Sequence, residues 1–210
     1  MVDVLPAITE ALPIFPLPGA VLMPGELLPL HVFEPRYRAL VAACLAESQH
    51  FAVATLQPGY ERDYQGRPAV FPEIGIGRIV RHQPLPDGRA NILVSFVAAA
   101  RVESELPSLE PFRRVRWVPI AEPPAASYPP LGGLRVLAGQ VLARLEGAPE
   151  LEPLFALEGP AWLDTMARAV LAVPRERREY LVAATGQQRA ALVHEALVAL
   201  LEESGDGVEA

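Results

Sequence analysis

Lysine is missing from this chain: its 18 basic side chains are all arginine. That excludes every chemistry that needs an amine at a fixed point: a P-loop lysine, a Schiff-base lysine, a kinase lysine and a Ser–Lys dyad. Cysteine occurs once, at Cys44, so an intrachain disulfide and a multi-cysteine zinc site are excluded. No apolar run reaches the roughly 18–20 residues of a membrane span. No N-terminal stretch pairs a charged region with an apolar one. A soluble, cytoplasmic protein is expected. The all-arginine usage reads as genome composition rather than as function.

What is present describes a globular chain. Of the 210 residues, 51% are hydrophobic and 20% charged, enough to bury a core in one large or two small domains. The net charge of −7 argues against bulk affinity for nucleic acid or an anionic membrane, although a local basic patch would survive that argument. The 23 prolines are scattered, which reads as turns and helix starts rather than low complexity.

Residues 12 to 121 read as strands with one inserted helix. Pro13–Leu17, Val21–Met23 and Leu27–Val32 are short extended segments, punctuated by Pro18-Gly19 and Pro24-Gly25. A helix over about 35–48 starts at Pro35, where a missing N–H costs nothing. It places Tyr37, Leu40, Val41, Cys44 and Leu45 on one face. Glu34 and Arg38 are spaced as an i,i+4 pair. Phe51–Leu56 is a strand and Gln57–Pro72 a polar, aromatic-bearing loop. Ile74–His82 and Ile92–Arg101 form a hairpin through Pro86-Asp87-Gly88, and Arg113–Ile120 ends the series. Strands at this spacing suggest a barrel or sandwich.

Composition shifts at Glu122–Pro130. The expected organisation is a β subdomain over 1–122, a Pro-rich linker over 123–130, a helical bundle over 131–203 and a frayed tail over 204–210. Four helical patterns fill the bundle: Leu131–Leu145, Pro160 to about Val173, Pro174 to a C-cap at Gly186, and Gln187–Glu203.

Motifs for chemistry are incomplete. Gly75-Ile76-Gly77 meets Val80 where a dinucleotide fingerprint needs glycine, and reads as strand flexibility. His194-Glu195 opens a zincin pattern, but position 198 is Val. Cys44 falls in the apolar stripe of its helix, where a thiol packs as a small hydrophobe; a nucleophile is the sharper alternative. His31 alternates with Leu30 and Val32 in a strand that reads as buried, as a hydrogen-bonded structural histidine or else a base. Arg113, Arg114 and Arg116 interleave with Phe112 and Trp117. That pattern fits either a stacking surface for single-stranded RNA or plain strand alternation with Val115 and Trp117 inward.

The stretch LPIFPLPGAVLMPGELLPLHVFEPRYRALV, Leu12–Val41, resembles the opening of the Lon protease N-terminal, substrate-binding domain. HVFEPRYR, His31–Arg38, is its most specific part. The likeness continues through Phe51–Leu56, Ile74–Leu93 and Ala98–Val118, and the helical region Met166–Leu201 is similar to the helical half of that domain. The resemblance implies an α+β fold: a PUA-like β pseudo-barrel with one inserted helix, followed by a C-terminal helical subdomain. It makes His31, Phe33, Glu34, Pro35, Arg36 and Tyr37 family-motif residues with structural roles.

Full-length Lon continues into an ATPase and a Ser–Lys protease domain. This chain ends about where those would begin and has no lysine for either, so the resemblance implies a stand-alone, non-catalytic module. Its implied partners are unfolded or exposed apolar protein segments, with self-association; no cofactor, metal or membrane is expected. Tyr60, Tyr64 and Phe71, the aromatics of the long loop, are the candidate contacts. The alternatives are an RNA-binding PUA-like protein and an enzyme built on Cys44 or His31.

Overall fold

A computed structural model describes residues 11–144 and 156–203. The chain divides into two compact units, Met1–Ala121 and Glu122–Ala210. The first unit holds β1 (Leu12–Leu17), β2 (Leu27–Val32), α1 (Pro35–Ala46), β3 (His50–Leu56), β4 (Val70–Pro84), β5 (Ala90–Leu106) and β6 (Arg113–Pro119). The strand order is β2-β5-β4-β3-β1-β6, and a further β5–β6 pairing closes the sheet on itself. β1 and β3 run parallel, and every other pairing is antiparallel.

Closure depends on β5. Its first half pairs with β2 and its second half with β6, while β4 runs along much of its other edge. A strand can serve both only if it bends, and register shifts fall at Ile76/Gly77, Ile79/Arg81 and Val102/Ser104. Bulges of this kind bend and twist a strand pair. β2 is left as an extension outside the ring. The fold is thus the expected α+β barrel with one inserted helix.

Two apolar layers follow from strand alternation. Leu12, Ile14, Ala52, Ala54, Ile74, Ile76, Ala100, Val115 and Trp117 fill the barrel. Phe51 and Val53 point the other way, into a layer completed by Tyr37, Leu40, Val41 and Cys44 of α1. β3 is therefore buried at every position, as a strand covered on both faces must be. Its inward residues are alanines, which leaves the barrel interior room for Trp117, 1% exposed.

Val21–Met23 is buried but is not a strand. It crosses β4 instead, and this gives Gly75 and Gly77 their role. A Cβ at Gly75 would collide with the Leu22 carbonyl; one at Gly77 would collide with the Val94 and Leu22 side chains. These glycines permit close approach rather than flexibility. Backbone yields less readily than side-chain tips, so Gly75→Ala is expected to cost about 1–3 kcal/mol, more than Gly77→Ala. Urea melts of the two variants check this, and the reverse order would refute the explanation.

The second unit holds α2 (Gly132–Leu142), α3 (Gly159–Val170), α4 (Pro174–Val182) and α5 (Gly186–Glu203). Prolines in the first turn start α3 and α4. Trp162, Leu163, Met166, Tyr180, Leu181, Val193 and Leu197 form the core. α4 ends at Val182, so Gly186 is not its C-cap but the first residue of α5. Thr185 and Gln188 cap that helix reciprocally. Thr185 Oγ1 accepts the Gln188 N–H at 3.2 Å, and Gln188 Oε1 accepts the Thr185 N–H at 3.2 Å. Gly186 is required because the Tyr128 ring lies where its Cβ would be, and its N–H donates to Ser127 Oγ at 2.8 Å.

The Pro-rich segment is therefore anchored to the helices. The anchor centres on Arg189, 1% exposed. Its Nη1 donates to Glu122 Oε2 at 3.0 Å, to Tyr128 OH at 3.3 Å and to Asp164 Oδ1 at 3.5 Å. Its guanidinium stands 5.0 Å from the centre of the Tyr180 ring, and Tyr180 OH donates to Asp164 at 2.6 Å. The expected frayed tail, 204–210, lies outside the described residues.

Candidate functional site

The motif His31–Arg38 splits its side chains between two surfaces. His31 lies on the outer face of β2, and Phe33, just past the end of that strand, is 58% exposed. β2 is an edge strand with one face in solvent, so His31 is exposed rather than buried; its Nδ1 is hydrogen-bonded with Asn91 Oδ1 at 2.7 Å. Tyr37 points the other way. It stacks on Phe15 with ring centres 3.9 Å apart and donates its hydroxyl to the Pro16 carbonyl at 2.9 Å. Burial pushes its phenol well above the ordinary range.

Glu34 and Arg36 clasp the loop between β3 and β4. Arg36 Nε donates to Glu34 Oε2 at 3.0 Å, and its Nη1 donates to the Tyr64 carbonyl at 3.0 Å. Its guanidinium lies 4.6 Å from the Tyr37 ring centre and 5.0 Å from that of Tyr64. Tyr64 OH returns to Glu34 Oε1 at 3.1 Å. The sequence spacing pairs Glu34 with Arg38, but Arg36 and Tyr64 take that carboxylate. The loop itself is ordered by a 3₁₀ turn, Tyr60–Asp63, and by Asp63, which accepts the Gly66 N–H through its carbonyl and the Arg67 N–H through its carboxylate.

Of the three candidate loop aromatics, two are brought together. Tyr60 and Tyr64 are half-buried, with ring centres 6.1 Å apart. Phe71 belongs to β4, because the strand begins at Val70 and takes in the last three residues of the expected loop. Tyr64 tethers the loop rather than presenting itself.

Between this loop and the β5–β6 turn opens a cleft of about 270 Å³. Ile14, Pro16, Tyr37, Leu56 and Phe112 give it an apolar floor, and Tyr64–Pro68 and Glu110–Arg113 form its walls. The charges around it are matched among themselves. Arg113 holds Glu105 through Nε and Nη2, at 3.0 and 2.7 Å, and donates Nη1 to the Pro68 carbonyl. Arg67 reaches the same Glu105 at 3.0 Å. Glu110 is held by Arg114, which keeps its carboxyl below the usual carboxylate range. Pro16 has no N–H, and its carbonyl is already used, so this position offers an incoming chain no ladder hydrogen bond. Sequence reasoning missed the floor residues, which come from four separate elements; the Pro16 position in FPLP was the one local sign of an interrupted edge.

The other candidates take structural places. Cys44 is 1% exposed and donates its Sγ–H to the His50 carbonyl at 3.3 Å. Burial pushes its thiol up to about 12, which leaves no thiolate for nucleophilic attack near neutrality. His31 sits on β2, away from it. Phe112 and Trp117 are 4% and 1% exposed, and Arg113 and Arg114 are in ion pairs. No group of three His, Cys, Asp or Glu side chains is arranged for a metal among the described residues. No described helix is long and apolar enough to cross a membrane.

Comparison with known proteins places this architecture. Residues 11–198 match the family model of the ATP-dependent protease La (LON) substrate-binding domain. A Lon protease of Desulfovibrio desulfuricans is 32% identical over 125 residues, 56% of this chain; the match spans 13% of that protease. The crystal structure of a Lon N-terminal domain protein from Xanthomonas campestris superposes with a TM-score of 0.65 at 25% identity, covering 90% of this chain and 98% of that one. The N-terminal domain of a Mycobacterium avium complex Lon protease shares the fold, with a TM-score of 0.58 at 17% identity and coverage of 95% and 100%. The fold is therefore shared with solved Lon N-terminal domains, and this chain belongs to the LON substrate-binding domain family.

Proposed function

We propose that the chain is a non-catalytic module whose barrel cleft binds extended apolar segments of other protein chains. The observation that carries this reading is the combination of an apolar floor with a rim whose charges are already paired. The floor side chains are almost fully buried, so the apolar surface on offer is small; each Å² of it that a ligand covers contributes about 25 cal/mol, and the paired rim makes little demand on the ligand's polar groups. Without ladder bonds at Pro16, recognition depends on side chains rather than on backbone register. The result is broad selectivity for apolar segments, which native proteins keep buried and unfolded ones expose.

RNA recognition is the weaker reading. Base stacking needs exposed rings, and Phe112 and Trp117 are both buried.

The test is titration calorimetry of the protein with a reduced, unfolded test protein and with its native form. The unfolded form is expected to bind and the native form not to. Pro111→Arg, an exposed residue at the cleft mouth, places a charge over the floor and is expected to weaken binding about tenfold. Equal affinity for both forms, or an unchanged affinity in the variant, would remove this cleft as the binding site.

A further inference from the structure

A second cavity lies on the other side of α1, under the β4–β5 hairpin. Its volume is about 300 Å³, at the small end of the range for ligand pockets. Val32, Val41 and Leu45 line it, and Arg38, His82 and Arg89 stand at its rim. Val32 and Val41 are 1% and 3% exposed, so its floor is continuous with the outer apolar layer.

The rim charges differ from those of the first cleft. Arg89 is neutralised by Asp87, which accepts its Nε at 2.5 Å. Arg38 has no carboxylate partner among the described residues, and neither have Arg62, Arg81 and Arg116 of the same unit, whereas Arg36, Arg67, Arg101, Arg113 and Arg114 sit in ion pairs. Arg38 is nonetheless placed. Its guanidinium lies directly against Gly88, where a Cβ would overlap Nη2, and Gly88 holds the hairpin turn with φ +78°. A guanidinium positioned over an apolar pocket, without an anion, in a chain of net charge −7, is a prepared place for a negative group that carries an apolar body.

We propose that this pocket binds the C-terminal residue of a polypeptide chain, with an apolar side chain on the Val32–Val41–Leu45 floor and the α-carboxylate on Arg38. A guanidinium fork matches a carboxylate in two parallel hydrogen bonds. The small volume suits one residue. A phosphate alone would leave the floor unused, and a nucleic-acid strand needs a row of free cations, whereas Arg89 is already neutralised.

The experiment is fluorescence anisotropy with a labelled pentapeptide ending in leucine, as free acid and as C-terminal amide. The acid is expected to bind about tenfold more tightly, the scale of one charge-assisted contact. Arg38→Gln, at an exposed helix position, should erase that difference while leaving the fold intact by circular dichroism. Ala42→Trp, which fills the pocket from the exposed face of α1, should abolish binding of the acid. Equal binding of acid and amide would overturn the proposal. So would a difference that survives Arg38→Gln, or displacement of the peptide by inorganic phosphate as effectively as by N-acetyl-leucine. Pro111→Arg at the first cleft should leave the acid–amide difference unchanged, which separates this pocket from the cleft.

Discussion

Arg189→Met is expected to destabilise the helical unit by about 3–5 kcal/mol, the usual cost of removing one partner from a buried charge pair. The loss arises at Asp164 rather than at Glu122. Glu122's side chain is 57% exposed and turns to water, whereas Asp164's is 17% exposed and keeps the Tyr180 hydroxyl and the weaker attraction of Arg168. Arg189→Met/Asp164→Asn should therefore recover much of the loss, because no charge is then left unmatched. A double variant as unstable as the single one would show that packing around Arg189, not charge, is what matters.

The same cluster sets a pH dependence. Burial raises the Asp164 carboxyl above its ordinary value, opposed by the Tyr180 hydrogen bond and the Arg189 charge. A carboxyl raised in the folded state favours folding when protonated, so its contribution is present at low pH and lost as pH rises through the folded value. Taking Arg189 away removes an opposing attraction and raises that value further. The deficit of Arg189→Met should be largest at neutral pH and narrow on acidification. Melts followed by Trp162 fluorescence, in a Trp117→Phe background, report the helical unit alone.

Trp117→Ala should cost the barrel a comparable amount, about 3–5 kcal/mol. Trp117 shares its interior with Ala52, Ala54 and Ala100, none of which can grow into the void, and with Leu12, Ile14, Ile74, Ile76 and Val115. Trp117→Phe should cost far less, below about 1.5 kcal/mol. The indole Nε1–H is buried without a hydrogen-bond partner, so phenylalanine removes an unsatisfied donor as well as some volume. Urea titration of the two variants tests this. If Trp117→Phe costs as much as Trp117→Ala, the ring edge is making a contact that volume does not describe.

The parts of the fold that were readable are those whose signals are local. Proline and glycine punctuation located β1 and β2, and Pro35 with the 3/4 spacing of Tyr37, Leu40, Val41 and Cys44 located α1. Val21–Met23 misled because a buried apolar run looks the same whether it pairs in a sheet or crosses one. β4 and β5 extend to Pro84 and Leu106 through exposed, polar residues, where pairing partners rather than alternation define the strand. The capping box at Thr185–Gln188 was visible as T-x-x-Q and corrects the role of Gly186. At the candidate site, Glu34, Arg36 and Tyr37 stood out as a motif, yet their contacts with Tyr64 and Pro16 join residues far apart in sequence. Ile14, Leu56 and Phe112 carry no mark of a cleft in their own neighbourhoods.

Barrel closure also fixes an order of events during synthesis. β1 is made well before its antiparallel neighbour β6, with Leu12 opposite Val115. Until about a hundred further residues have left the ribosome, β1 has one bare edge and β5 has no β6 to receive. Unpaired edges are templates for pairing with other chains, and contacts this distant in sequence form slowly. The nascent barrel is thus itself an open-edged, apolar chain for most of its translation.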